Sequence, residues 1–288
     1  MAISCCGVYM LTSPTECIMP ELPEVETTVR GVAPHVLGQT ITDVSIRDGR
    51  LRWPVPAQLP EVLRGLCVHD VRRRGKYILF DCGRGHLLVH LGMSGSLRVT
   101  TGEVPLRRHD HIAIRFSNAI ELRFHDPRRF GAMLWTEASP AVHKLLVGLG
   151  PEPLESDFDA SYLYQRSRHR RSPVKAFIMD SKVVVGVGNI YANEALFMAG
   201  IHPSRAAGRI SLSRYQRLVE AIKSVLAAAI EQGGTTLRDF VNGDGQPGYF
   251  SQQLWVYGRG SKPCGRCGGA LREIRLAQRT TVYCLQCQ

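Results

Sequence analysis

The chain has 288 residues, 36 Lys and Arg against 25 Asp and Glu for a net charge of +11, and 44% apolar residues. That length accommodates two domains with cores that fold unaided, and a charged fraction of 21% without low-complexity runs excludes a largely disordered polymer. No stretch approaches the roughly twenty apolar residues of a spanning helix, and the clustered cations favour a polyanionic partner, nucleic acid foremost.

Residues 1–18, MAISCCGVYMLTSPTECI, lack the basic start and long apolar run of a secretory signal and read as an appendage. An odd number of cysteines, nine, fits a reducing cytoplasm. Pro23, followed by Val25, Val29 and Val32 at i, i+4 and i+7, predicts a helix. Short apolar or alternating runs then predict strands at 41–46, 76–82, 86–93, 111–116, 120–126 and 133–137, a spacing that suits a sandwich or barrel with the helix packed on it.

GLGPEP at 148–153 resists both helix and strand and predicts a linker. Beyond it the period becomes helical, over 159–166, 172–182, 190–199 and 212–232. Asn189 is expected to cap the third of these after the Gly186-Val187-Gly188 turn, and Gly233-Gly234 to stop the last. The glycine-rich segment 235–250 reads as a loop. The run from Arg166 to Arg171 reads as a solvated basic face.

Four cysteines close the chain. Cys264-x-x-Cys267 and Cys284-x-x-Cys287 are sixteen residues apart, the spacing of a tetrahedral four-thiolate zinc site in which one structural ion replaces a core that so short a segment cannot build. LREIRLAQRTTVYC between them predicts strand, turn and strand, with Arg279 near the tip of the ribbon. No open coordination position is evident, so the metal is not expected to be catalytic.

The start of the first helix allows two readings. In mid-chain, Pro20 is a tertiary amide in an ordinary helix start, where acidic residues suit the positive dipole end. If translation begins at Met19 and the initiator is removed, Pro20 becomes a terminal secondary amine. An α-amino group titrates near about 8 and lysine near about 10.4, so the former is far more often neutral and nucleophilic at neutral pH. Glu21 and Glu24 then stand beside it as acid and base candidates.

MPELPEVET from Met19, RRGKYIL around Lys76, HLGMSGSL, HDPRRFG, VVGVGNIYANEALF, FVNGDGQPGYF with QQLWVYGR, and the terminal cysteine module together resemble bacterial formamidopyrimidine-DNA glycosylase over residues 19–288, in order. The resemblance implies an α+β fold of two domains: a β-sandwich with flanking helices, then a helix-two-turn-helix domain carrying a four-cysteine zinc ribbon. The corresponding boundaries are an extension at 1–19 absent from the mature protein, a catalytic domain at 20–148, a linker at 149–158, a helical DNA-binding domain at 159–250 and a zinc module at 251–288.

The extension departs from the family pattern, because a proline with a residue before it cannot act as the nucleophile. The resemblance further implies Pro20 as that nucleophile, Glu21 as proton donor, Glu24 as supporting carboxylate and Lys76 as the basic residue beside the lesion. Met93, Arg128 and Phe130 match the wedge that fills the gap left by an everted base. His109, Lys175, Asn189 and Arg279 match DNA contacts, and residues 236–249 a loop over the base. The implied activity is excision of 8-oxoguanine and formamidopyrimidines from double-stranded DNA, followed by β,δ-elimination at the abasic site, by a cytoplasmic monomer without membrane association. Two other readings are an endonuclease VIII-like enzyme acting on oxidised pyrimidines, and a lesion-binding protein without catalysis if the leader persists; a zinc-ribbon transcription protein is a more distant third.

Overall fold

The computed structural model describes residues 20–236 and 254–288. The chain enters with α1 (Leu22–Val36) and continues through β1 (Ile41–Ile46), α2 (Leu59–Leu63), β2 (Asp70–Arg74), β3 (Tyr77–Asp81) and β4 (His86–His90), then β5 (Ser96–Thr101), β6 (Asp110–Phe116), β7 (Ile120–His125) and β8 (Ala132–Thr136). The strands form two antiparallel four-stranded sheets, ordered β1-β6-β7-β5 and β2-β3-β4-β8. Their inner faces meet through Ile112, Ile114, Leu122 and Phe124 on one side and Ile78, Phe80, Leu87 and Val89 on the other. Val25, Val29, Val32 and Val36, one stripe of α1, close the same core.

The second domain packs α3 (Ala160–Ser167), α4 (Val174–Met179), α5 (Asn189–Met198) and α6 (Leu212–Thr236) around a separate apolar cluster. Leu22, the first residue of α1, belongs to that second cluster, so one helix spans both domains, and its N-terminus lies where they meet. The chain ends in the two-stranded ribbon of β9 (Arg272–Leu276) and β10 (Arg279–Tyr283). Ala277 and Gln278 at its tip both have positive φ, 46° and 62°, as a tight two-residue hairpin requires. Among the described residues no helix is long and apolar enough to cross a membrane.

Several expectations need correction. Strands 70–74 and 96–101 and the short helix 59–63 were not anticipated; Asp70-Val71-Arg72-Arg73-Arg74 looks like a charge run, but Arg73 and Arg74 turn inward to ion pairs. The strand expected at 86–93 ends at His90, and the helix expected at 172–182 is confined to 174–179. Gly233-Gly234 do not stop α6, which runs through them to Thr236. A helical glycine costs about 1 kcal/mol relative to alanine, a penalty that packing of Leu226, Ala229 and Ile230 into the second core offsets.

Asn189 is not the cap of α5. Gly188 occupies that position, no side chain of its own caps the helix, and among the described residues the Asn189 side-chain oxygen Oδ1 is buried without a hydrogen-bond partner. The cap is supplied from the other domain, by Glu21. Apart from Thr236, the loop expected at 236–249 lies outside the described residues.

Candidate active site and zinc ribbon

The site forms at the junction of the domains, where Glu21 precedes α1. Its carboxylate accepts from the amides of Gly188 at 2.9 Å, Ile190 at 2.9 Å and Tyr191 at 3.4 Å, and so occupies the positive end of α5. This explains the GVG turn. A Cβ on Gly188 would stand 2.1 Å from the Glu21 carboxyl carbon, and one on Gly186 would stand 2.5 Å from Leu22. Only glycines admit α1 so close to α5.

Glu24, one helical turn on, accepts from the Glu21 amide at 2.8 Å and from the Tyr191 hydroxyl at 2.7 Å. Tyr191 is a member of the site that sequence reasoning missed, because an aromatic within an apolar helix carries no sign of which carboxylate it will meet. Both acids are buried, Glu21 to 2% exposure. Burial pushes the Glu21 carboxyl up to about 7; the positive charge of Lys76 opposes the shift and the negative charge of Glu24 adds to it. Burial likewise raises Glu24, against the Tyr191 hydrogen bond.

Lys76 follows Gly75 at the tip of the β2–β3 hairpin. Glu152 of the linker holds that tip, accepting from the Gly75 amide at 2.7 Å and from Arg73 and Arg74 at 2.5 and 3.0 Å. Pro20 is buried directly before Glu21. The structure thus brings together Pro20, Glu21 and Glu24 at the start of α1, Lys76 of the β2–β3 turn and Tyr191 of α5, three segments in all. A hydrogen-bonded carboxyl that titrates near neutrality can deliver a proton there to a reacting oxygen or nitrogen.

The other candidates fall in two groups. Met93 is half-buried in the β4–β5 turn, while Arg128 and Phe130 lie exposed in the β7–β8 turn, the guanidinium 5.0 Å from the ring centroid and Phe130 43% exposed. His109 is half-buried, its ring 6.0 Å from that of His111 and 5.9 Å from that of His125, and burial followed by the Arg108 charge lowers its basicity.

Lys175 and Arg279 belong to the second group. Lys175 is not a surface cation but 1% exposed, donating from Nζ to the Thr280 carbonyl at 2.9 Å and the Thr281 hydroxyl at 2.7 Å. Burial pulls it down to about 7, which the Glu21 charge opposes. It pins β10 to α4, as Asn193 pins β10 to α5 by accepting from the Val282 amide at 3.0 Å. Arg279 is exposed at the tip of the ribbon so held.

The four terminal cysteines converge, with all Sγ atoms within 4.8 Å of one another and the Cys264–Cys287 and Cys267–Cys284 pairs at 3.9 and 3.4 Å. Zinc–sulfur bonds of about 2.3 Å in a tetrahedron place sulfurs about 3.8 Å apart, so the residues fit one closed, structural zinc. Glu194, buried in α5, accepts from the amides of Trp255, Val256 and Tyr257 and fixes the segment that leads into this module.

A sandwich and a helical domain that meet at a buried acid pair, with a four-thiolate ribbon pinned to the helical domain, define the class of two-domain, zinc-ribbon DNA glycosylases. The pattern described as the formamidopyrimidine-DNA glycosylase N-terminal domain matches residues 19–133, that of the same enzyme's H2TH domain residues 149–241, and that of the zinc finger found in FPG and IleRS residues 261–288. Formamidopyrimidine-DNA glycosylase of Methylococcus capsulatus is 61% identical over 270 residues, 94% of this chain and all of the relative. The Lactococcus lactis Fpg solved with DNA containing N7-benzyl-Fapy-dG superposes with a TM-score of 0.84 at 32% identity, covering 93% of this chain and 99% of that one. The same Lactococcus protein has been solved on abasic-site DNA and on DNA containing an oxidised pyrimidine. The chain belongs to the formamidopyrimidine-DNA glycosylase family.

Proposed function

We propose that the protein is a base-excision repair glycosylase and abasic-site lyase that removes oxidised purines, 8-oxoguanine and formamidopyrimidines, from double-stranded DNA with Pro20 as nucleophile. The observation that carries this reading is the Glu21–Glu24 pair at the domain junction, immediately after the proline. The functional chain begins at Pro20, a reading supported by the family match from residue 19 and by the relative whose whole length this chain covers without its first residues.

The free ring nitrogen attacks the anomeric carbon, and the glycosidic bond breaks with its electron pair on the departing base. Glu21, whose burial lets a substantial fraction keep its proton at neutral pH, gives that proton to the ring oxygen as the deoxyribose opens. The resulting iminium acidifies the neighbouring C–H, so that the 3′ and then the 5′ phosphates leave by β- and δ-elimination. Glu24 keeps the Glu21 amide in place, and Lys76 sets the field at the pair and binds phosphate beside the lesion. Met93, Arg128 and Phe130 enter the stack, offsetting an eversion cost of a few kcal/mol. His109, Asn189 and Arg279 contact the DNA backbone, and Lys175 acts by fixing the ribbon that carries Arg279. The α5 amides already bind Glu21, so Asn189 offers phosphate its side chain rather than a free helix terminus.

The protein works as a monomer in the cytoplasm, where its DNA lies. If six to ten phosphates are neutralised, affinity falls by about three to five decades between 50 and 200 mM salt. The test is excision of 8-oxoguanine opposite cytosine against excision of thymine glycol, with borohydride present. Covalent trapping with borohydride and, in parallel reactions without it, faster excision of the oxidised purine are expected. Preference for thymine glycol would mark an endonuclease VIII-like specificity, and tight abasic-site binding without scission a lesion-binding protein.

A further inference from the structure

The residues assigned above to the wedge sit on two turns distant in sequence, Met93 in the turn between β4 and β5 and Arg128 and Phe130 in that between β7 and β8. Asp126, 0% exposed, joins them. One carboxylate oxygen accepts from the Ser94 hydroxyl at 2.7 Å, the other from the Gly131 amide at 2.8 Å. Ser94 Oγ in turn accepts from the Arg128 amide at 3.2 Å.

The main chain of Asp126 is equally engaged. Its amide donates to the His109 carbonyl at 3.0 Å, and its carbonyl accepts from the Arg129 amide at 3.2 Å and lies 2.8 Å from His111 Nε2. The two turns also touch backbone to backbone: Gly92 has φ +66°, and a Cβ there would stand 2.4 Å from the Phe130 carbonyl carbon and 2.5 Å from the Gly131 nitrogen. Arg129, between the two exposed wedge residues, is itself held at φ +59° and paired with Asp48 at 2.5 Å.

Asp110 nearby gives its carboxylate to the buried Arg98 and so braces the sandwich itself. Asp126 instead directs both oxygens to the two turns that bear the protruding side chains. With its oxygens turned inward it has no reach to DNA, so any part in the reaction is exerted through the turns.

We propose that Asp126 and Ser94 are positioning residues for base eversion: their clasp makes Met93, Arg128 and Phe130 one rigid wedge. The inference rests on the wedge assignment above and adds what orients it. Its consequence is selective. Eversion from a stacked duplex needs the clasp, whereas elimination at an abasic site in a single strand, where nothing must be unstacked, does not.

The experiment uses the chain beginning at Pro20 and the variants Ser94→Ala, Ser94→Thr, Asp126→Asn and Phe130→Ala. Two rates are compared, excision of 8-oxoguanine from a duplex and scission of a single-stranded abasic oligonucleotide, together with the fluorescence rise of 2-aminopurine placed opposite the lesion as the wedge enters. Ser94→Ala and Asp126→Asn are expected to slow duplex excision by about tenfold and shrink the fluorescence rise, with single-strand scission unchanged. Ser94→Thr, which keeps the hydroxyl, restores both. Loss of both signals in Phe130→Ala with neither lost in Ser94→Ala and Asp126→Asn overturns the clasp while leaving the wedge. Equal slowing on both substrates also overturns it, reducing Ser94 and Asp126 to fold support. A Phe130→Ala variant with both signals intact removes the wedge assignment and the clasp with it.

Discussion

Two sets of buried acids in this molecule are made of the same residue types and behave in opposite ways. In the sandwich, Asp110 accepts from Arg98 at 2.5 Å, from His125 at 2.8 Å and from the Arg107 amide at 2.8 Å, while Glu121 pairs with Arg123 at 2.5 Å. Burial alone would raise Asp110, but these donors outweigh it and hold its carboxyl well below the usual range. At the domain junction, Glu21 and Glu24 face each other with amides, a tyrosine hydroxyl and one lysine charge, and burial prevails. In these two sets the charge of the donors, rather than depth, makes the difference. Guanidiniums hold Asp110 and Glu121 as ion pairs, whereas the mainly neutral donors around Glu21 let its carboxyl rise to about 7.

The largest effect is expected from blocking the proposed nucleophile, Pro20, next to the acid pair. A chain retaining any residue before Pro20 is expected to lose borohydride trapping and base excision completely while still binding abasic-site DNA, which gel shift and trapping read side by side. Next in size, Glu21→Gln keeps the shape but not the proton. Excision is expected to fall by about 10²- to 10⁴-fold, and the decline of rate as pH rises through about 7 should vanish from the rate profile.

The same change in the other region should act on folding instead. Asp110→Asn leaves buried guanidinium without its counter-charge and is expected to cost roughly 3–5 kcal/mol in denaturant unfolding, with the excision rate per folded molecule preserved. The smallest effect is a difference of sign with pH. The folded-state value of Glu21, about 7, lies above its ordinary 4.5, so its contribution to stability is full below 4.5 and lost as pH rises towards 7. Asp110 is depressed below its ordinary 3.8, so its contribution is full above that value and lost as pH falls below it. Unfolding curves of Glu21→Gln and Asp110→Asn against pH should remove these two slopes separately.

Much of the architecture was legible because periodicity and punctuation are local. The valine stripe of α1, the GLGPEP break and the paired CxxC motifs each announce their element. Less legible was what depends on a distant partner. Asp70–Arg74 hides a strand because Glu26 and Glu152, which neutralise its arginines, are remote in sequence. Glu21 displaces Asn189 as the cap of α5 across more than 160 residues, which no capping rule could anticipate. Lys175 reads as a free cation until Thr280 and Thr281 enclose it. Strand β7 is buried on both faces because Arg123 and Glu121 pair on the face away from the core, a pairing that alternation in IELRFH does not disclose.

The central claim, that a proline amine carries the reaction, is tested most directly by locating the covalent bond. The active enzyme is reduced with borohydride on an 8-oxoguanine duplex, digested, and its DNA-linked peptide sequenced by mass spectrometry. A single adduct on the nitrogen of an N-terminal Pro20 is expected. An adduct on Lys76, or full activity from a chain still beginning at Met1, would contradict it.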